Sequence, residues 1–247
     1  MKAGAGRKAG APRLTAPVED YLKAIWELER AGAPASTTDL ASLLRVAPAS
    51  VTGMVRRLAG QGLLTHRRYR GVRLTAQGRQ AALQTIRRHR VIETYLARAL
   101  GFRWDEVHAE AERLEHAASD RVVDRMARAV GEPTVDPHGA PIPSREGTVV
   151  EAPYRPLAEL AEGASAVVMQ VSDDDPALLR YLDELAITIG STVRVVERAP
   201  FGGPITLAVG RARRVVGPAL AERLLVRPRA GARPRRGTAA RAEPPRG

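Results

Sequence analysis

The chain has 247 residues, 44% of them apolar, which suffices for a sizeable core and divides more easily into two or three small domains than one. It contains no cysteine, so disulfides, thiolate metal sites and zinc fingers are excluded and any metal must be held by oxygen and nitrogen. Of the net charge of +12, residues 1–16 contribute four and residues 227–247 six, leaving about +2 between them. That remainder is unevenly spread: from Leu40 to Ile92 there are eleven arginines and no acid, an electrostatic footprint suited to a phosphate backbone.

Residues 1–16 lack an apolar period and read as a flexible basic arm. They hold no apolar leader, and no run in the chain approaches the roughly 18 apolar residues of a membrane span, so a cytoplasmic protein without a membrane partner is expected. A helix is predicted from near Pro17, with Val18, Tyr21, Leu22, Ile25 and Leu28 at helical spacing and Gly32 and Pro34 ending it. Asp20 lies in its first turn, where its plain reading is a favourable interaction with the helix dipole.

A short helix over Ser36–Val46, with a Thr cap and Leu40, Leu43 and Leu44 inward, is followed at once by a second helix beginning at Pro48. Two short helices joined so tightly predict a helix-turn-helix whose Pro48, Ser50, Thr52, Arg56 and Arg57 are free to face a groove. Residues 61–75 then read as two strands around a turn at Tyr69–Gly71, a basic wing with Arg67, Arg68 and Arg70 placed for phosphates. Residues 17–75 thus form a predicted winged-helix DNA-binding domain, the alternative being a helical hairpin that only packs.

A long helix is predicted from Thr75 to Leu100, carrying His89 and Glu93 at i and i+4, a spacing shared by surface pairs and ligand sets. Trp104 to Val130 is again helical, with a break and a Ser119 cap. Leu96, Leu100, Phe102, Val107, Leu114, Val122, Val123 and Met126 give these helices apolar content suited to a dimer interface, so 76–130 is the expected helical dimerisation and metal-binding domain. Within it, His108, Glu112, Glu115 and His116 fall in an arc of roughly 100° beside an apolar stripe of Val107, Ala111, Leu114 and Ala118. Such a group is costly to desolvate unless paired, and a divalent cation would satisfy several members at once; a solvated helix face is the plainer alternative. Residues 131–147, with Pro133, Pro137, Pro141 and Pro143, read as a linker.

Beyond it the period changes to that of strands, at Ala166–Val171, Thr192–Glu197 and Ile205–Val209, with a short helix at 176–185 and further short segments up to Val226. Short strands with Gly-rich turns predict a small SH3-like barrel over 148–226, and the Arg-rich 227–247 is expected to be a disordered basic tail. The fold class is therefore mainly α with a small β domain: an N-terminal winged helix, a helical dimerisation domain and a C-terminal SH3-like barrel.

In this order, Glu-Asp-Tyr-Leu at 19–22, Ala-Pro-Ala-Ser-Val-Thr-Gly-Met-Val at 47–55, Tyr-Arg-Gly at 69–71, Arg-His-Arg at 88–90, the His108–His116 pattern and Asp-Pro-His-Gly-Ala-Pro-Ile-Pro at 136–143 make the chain closely resemble the iron- and manganese-dependent repressors of the diphtheria-toxin-repressor type. The resemblance implies a regulator and not an enzyme: a homodimer that takes up Mn²⁺ (or Fe²⁺) and then binds a pseudo-palindromic double-stranded operator at metal-homeostasis genes. It implies one metal site from Asp20, Glu112, Glu115 and His116 and a second from His89, Glu93 and His108. Some iron-type members have Met and Cys at the Asp20 and Glu112 positions; the carboxylates here are of the manganese type. Lys23 departs from that type, in which a further acid often stands there. In iron-type members the SH3-like domain lends ligands to the second site, for which Asp174 or Asp175 is the candidate. Two other classes compete: a dinuclear metal-carboxylate enzyme, which typically needs Glu-x-x-His on each of two helices and finds only Glu112-x-x-Glu115, and a metal-independent winged-helix repressor.

Overall fold

The computed structural model describes residues 14–30, 32, 34–67, 71–150, 152–172 and 175–229. Residues 1–13 of the expected arm, 230–247 of the expected tail, Arg68 and Arg70 of the wing, and Asp174 lie outside the described residues, while Arg227 and Pro228, expected in the disordered tail, end the last described strand because they pair with Val167 and Ala166. The chain divides into two compact units, one holding the residues up to Phe102 with Val107–Asp136 and Pro141–Val150, the other Arg103–Glu106, Pro137–Ala140 and the residues from 151 onward.

In the first unit, helix α1 (Ala16–Arg30) buries Val18, Tyr21, Leu22 and Ile25, the spacing that the sequence shows. Helix α2 (Thr37–Leu44) is capped by Ser36 and not by a threonine: the Asp39 backbone N–H donates to Ser36 Oγ at 3.0 Å and the Asp39 carboxylate accepts in return, a reciprocal capping box. Leu40 is buried, whereas Leu43, expected inside, is 47% exposed, because Leu40 and Leu44 one turn apart take the inner side and Leu43 falls beside them. Arg45 closes α2 in the left-handed region, at φ 53°, and α3 (Pro48–Gly60) starts three residues later. Its inner face is Val51, Val55 and Leu58, with Met54 half-buried. Strands β1 (Leu64–Arg67) and β2 (Gly71–Leu74) pair antiparallel with Leu64 opposite Leu74, completing a winged helix.

Helix α4 (Ala76–Leu100), capped by Thr75, ends at Gly101, φ 74°. The left-handed exit and the turns that follow delay the next helix, so α5 (Val107–Glu115) starts later than the expected Trp104. Helix α6 (Asp120–Ala129) follows, capped by Ser119 as expected. The first half of α4 packs into the winged-helix core through Ala82, Leu83 and Ile86; its second half holds α5 and α6 through Ile92, Leu96 and Val91. The segment 131–144 is tied down more than a linker requires: Val135 bridges Pro141, and Arg87 and Arg90 of α4 donate to the carbonyls of Pro143 (2.9 Å) and Pro141 (2.6 Å).

The second unit is built on a six-stranded antiparallel sheet of SH3-like type in the order β3-β8-β4-β5-β6-β7. The strands are β3 (Arg155–Pro156), β4 (Ser165–Val171), β5 (Thr192–Arg198), β6 (Ile205–Val209), β7 (Ala212–Val216) and β8 (Leu224–Pro228), with helices α7 (Pro176–Glu184) and α8 (Pro218–Arg223) between them. Alternate residues Ala166, Val168, Val193, Val195, Leu207 and Val226 meet Leu179 and Leu182 of α7 in its core. Gly139, φ +84°, passes so close to this sheet that a Cβ there would stand 1.9 Å from the Met169 carbonyl oxygen. Among the described residues no helix is long and apolar enough to cross a membrane.

Candidate metal centre and nucleic-acid interface

Helices α1, α4 and α5 bring their polar residues to one place. On α5 the buried stripe is Val107, Ala111 and Glu115, so spacing that elsewhere carries core residues here drives a carboxylate wholly inside. On α4, His89 and Glu93 are likewise buried. On α1, Asp20 and Lys23 lie one turn apart beside them.

His89 Nδ1 donates to Glu115 Oε2 at 2.5 Å and Nε2 to Glu93 Oε1 at 2.9 Å; His108 Nδ1 lies 3.1 Å from His89 Nε2 and 3.3 Å from Glu93 Oε1. Burial opposes a charge on His89, but Glu93 and Glu115 outweigh it and push the imidazole pKa up to about 10. Burial would raise the Glu115 carboxyl, yet the hydrogen bond and charge of His89, with Lys23, hold it below the usual range. Lys23 donates to both Glu112 and Glu115, the latter at 3.1 Å.

The other end of the cluster has a different character. His116, just past α5, donates from Nδ1 to Glu19 Oε2 at 2.7 Å, and Glu19 is itself held by Arg88. His116 Nε2 lies 2.9 Å from Asp20 Oδ1, a buried oxygen without a hydrogen-bond partner among the described residues. Burial raises the Asp20 carboxyl pKa, with His116 and Lys23 opposing. A buried carboxylate oxygen and an imidazole nitrogen placed so close are two ligand atoms that one cation could take up together. Ligand atoms of Asp20, Glu115 and His116 lie within 4.8 Å of one another, as do those of His89, Glu93 and His108, and of His89, Glu112 and Glu115. The donors are carboxylate and imidazole only, a set that suits Mn²⁺ or Fe²⁺.

The seven residues expected as ligands are therefore brought together, although the structure divides them into overlapping groups in which Glu112 sides with His89 and not with Asp20. Asp175, the SH3-like domain's described candidate, instead caps α7, accepting from the Ala177 N–H at 2.8 Å. Glu19 is a further member of the cluster, beyond the seven expected ligands. A signal existed: Glu19 shares a helical face with Leu22 and Trp26, both buried, and an acid on a core face needs an internal partner. Arg88 was counted with the phosphate footprint; it is buried and turned to Glu19. Arg87 and Arg90, also in the acid-free block, pair with Asp124 and Asp136. The footprint is correspondingly smaller than the eleven arginines suggested, because acids outside the block claim these three and Glu29 pairs with a fourth, Arg79, at 3.3 Å.

The groove-facing candidates that are described lie on α3 and β1. Pro48, Ser50, Arg56, Arg57 and Arg67 are exposed; Thr52 is half-buried and donates its hydroxyl to the Pro48 carbonyl at 3.1 Å.

A winged helix whose first helix shares a His/carboxylate cluster with a helical hairpin defines a class of metal-responsive DNA-binding proteins. Comparison with known proteins agrees. Residues 13–72 match the iron dependent repressor N-terminal DNA binding domain, 75–144 the iron dependent repressor metal binding and dimerisation domain, and 155–228 the FeoA domain. The chain is 32% identical to the iron-dependent repressor IdeR of Mycobacterium leprae over 80% of this chain and 90% of that protein. It is 29% identical to the diphtheria toxin repressor of Corynebacterium diphtheriae over 79% and 89%. A solved manganese-dependent transcriptional repressor in complex with manganese superposes with a TM-score of 0.78 at 41% identity, covering 85% of this chain and 98% of the other. The chain belongs to the diphtheria-toxin-repressor (DtxR/MntR) family.

Proposed function

We propose that this metal-dependent DNA-binding regulator takes up Mn²⁺ or Fe²⁺ at Asp20, Glu115 and His116 and at His89, Glu93 and His108, with Glu112 alongside, and then binds a pseudo-palindromic operator as a homodimer to control metal-homeostasis genes. The cytoplasm, where that DNA lies, is its proposed location. The observation that carries the reading is the facing pair of Asp20 Oδ1 and His116 Nε2. A bound divalent cation would take both atoms as ligands. Asp20 rides on α1, whose other face is buried in the winged-helix core, whereas Glu115 ends α5 and His116 follows it. Holding both helices favours one placement of the recognition helix α3 over others, by the difference in affinity for the two arrangements.

We assign 17–75 to DNA binding, 76–130 to dimerisation and metal binding and 148–226 to the SH3-like domain. Val107, Leu96 and Val123, expected at the dimer interface, are buried within the chain, which leaves the exposed Leu100, Phe102, Leu114 and Val122 to meet a second copy. Ser50 and Arg56 on α3 would read base edges and Arg67 the phosphates.

The test is a gel shift with duplexes from upstream of metal-transport genes. Specific binding should vanish with a chelator and return with Mn²⁺. Specific binding that a chelator leaves unchanged would reject metal dependence.

A further inference from the structure

Lys23 lies inside the cluster and not beside it. Its ammonium donates to Glu112 Oε1 and, at 3.1 Å, to Glu115 Oε1, and only 15% of its side chain is exposed. The three ligand groups overlap in a row. The middle one, His89, Glu112 and Glu115, shares Glu115 with the Asp20 end and His89 with the His108 end. Both carboxylates of that middle group are the two that Lys23 holds.

We propose that Lys23 is a built-in cation that takes the middle position, keeping metal ions at the two ends of the cluster apart and preventing a carboxylate-bridged pair of ions from forming across Glu115. The inference rests on the metal-binding reading above. A second ion among His89, Glu112 and Glu115 would face the ammonium at close range or displace it, and a displaced ammonium on this packed face of α1 would be left without its counter-charges. The end groups are less involved: at the Asp20 end Lys23 touches the shared Glu115 alone among the described contacts, and the His89, Glu93 and His108 end contains neither of the carboxylates that it holds. Lys23 thereby acts on the nuclearity of the site and not as a ligand.

The test is electron paramagnetic resonance of the full chain titrated with Mn²⁺, with calorimetric titration alongside. The parent should give the resolved hyperfine signal of isolated ions, and Lys23→Met, which keeps the stem and removes the charge, should lose that signal to an exchange-coupled pair. Lys23→Arg should behave as the parent. An exchange-coupled signal in the parent would overturn the proposal, whatever the variants do, and so would isolated ions in Lys23→Met with an unchanged titration. If the parent takes up no Mn²⁺ by calorimetry, the functional reading itself fails and this inference falls with it.

Discussion

Replacing Glu19 by Gln separates the two tasks that its carboxylate performs. One oxygen accepts from Arg88 and the other from His116 Nδ1, at 2.7 Å. A carboxamide has one oxygen, so its NH₂ must face one of the two donors. Against Arg88 it would set donor against donor beside a buried guanidinium. Against His116 it forces the ring to carry its proton on Nε2, the atom that faces Asp20. The second loss is the functional one: partners that orient a ligating imidazole typically contribute 10–100-fold in metal affinity, about 1.4–2.7 kcal/mol. For Glu19→Ala the stability cost follows from breaking a buried ion pair, about 3–5 kcal/mol. We expect the low end, because Thr85 Oγ1 (3.2 Å) and Asp120 (3.5 Å) still reach Arg88. Calorimetric Mn²⁺ titration, thermal unfolding of the apo protein and the ¹⁵N shifts of the His116 ring would measure all three effects. Mn²⁺ affinity within twofold of the parent in Glu19→Gln, with the His116 tautomer unchanged, would refute the reasoning.

The remaining expectations concern other parts of the chain. Arg67→Ala should weaken binding to all duplexes alike and lower the salt slope by about 1, whereas Ser50→Ala should change sequence preference; salt-dependent titrations with operator and scrambled duplexes distinguish them, and an Arg67 effect confined to the operator would contradict phosphate contact. With the His89 pKa at about 10 in the folded apo protein against about 6.5 when unfolded, its stabilising effect is complete below about pH 6.5 and lost as pH rises through 10. Metal uptake at His89 must expel that proton, so affinity should rise by up to about tenfold per unit between about pH 7 and pH 9, with proton release seen by calorimetry in buffers of different ionisation enthalpy. Flat affinity over that range would show that His89 is not displaced from its proton. Gly78→Ala puts a Cβ 1.8 Å from the Leu63 carbonyl oxygen, where β1 is about to begin, and should destabilise the winged-helix unit by about 1–3 kcal/mol or more, read as a fall in Tm.

Local rules made much of this legible. Thr75 and Ser119 cap the helices they precede, Pro48 starts the recognition helix, and the 108–116 pattern shows a polar arc because helical periodicity is set by the backbone alone. What was hidden depends on partners distant in sequence. Glu19 resembles any first-turn acid until Arg88 and His116 stand against it. Leu114 resembles a core leucine at its spacing, yet it is 40% exposed, since the buried stripe of α5 runs through Glu115 instead. No helical wheel can decide that a carboxylate goes in and a leucine out. The choice is made by His89 and Lys23, which supply the charge that makes burying Glu115 possible.

The same pairing explains why α1 can transmit a signal. Its apolar residues Val18, Tyr21, Leu22 and Ile25 fix it in the core from which α2 and α3 also hang, while Glu19, Asp20 and Lys23 touch groups on α4, on α5 and just beyond it. In the apo protein Glu19 and Lys23 already tie α1 to Arg88 and Glu115 through buried contacts. Asp20 is the residue of the three whose buried oxygen lacks a hydrogen-bond partner. The free energy that metal can add to the coupling is therefore concentrated at Asp20, and the contacts of Glu19 and Lys23 set the baseline from which it acts. A substitution at Asp20 should accordingly abolish the metal response while leaving metal-free DNA binding as it was, whereas one at Glu19 should alter both.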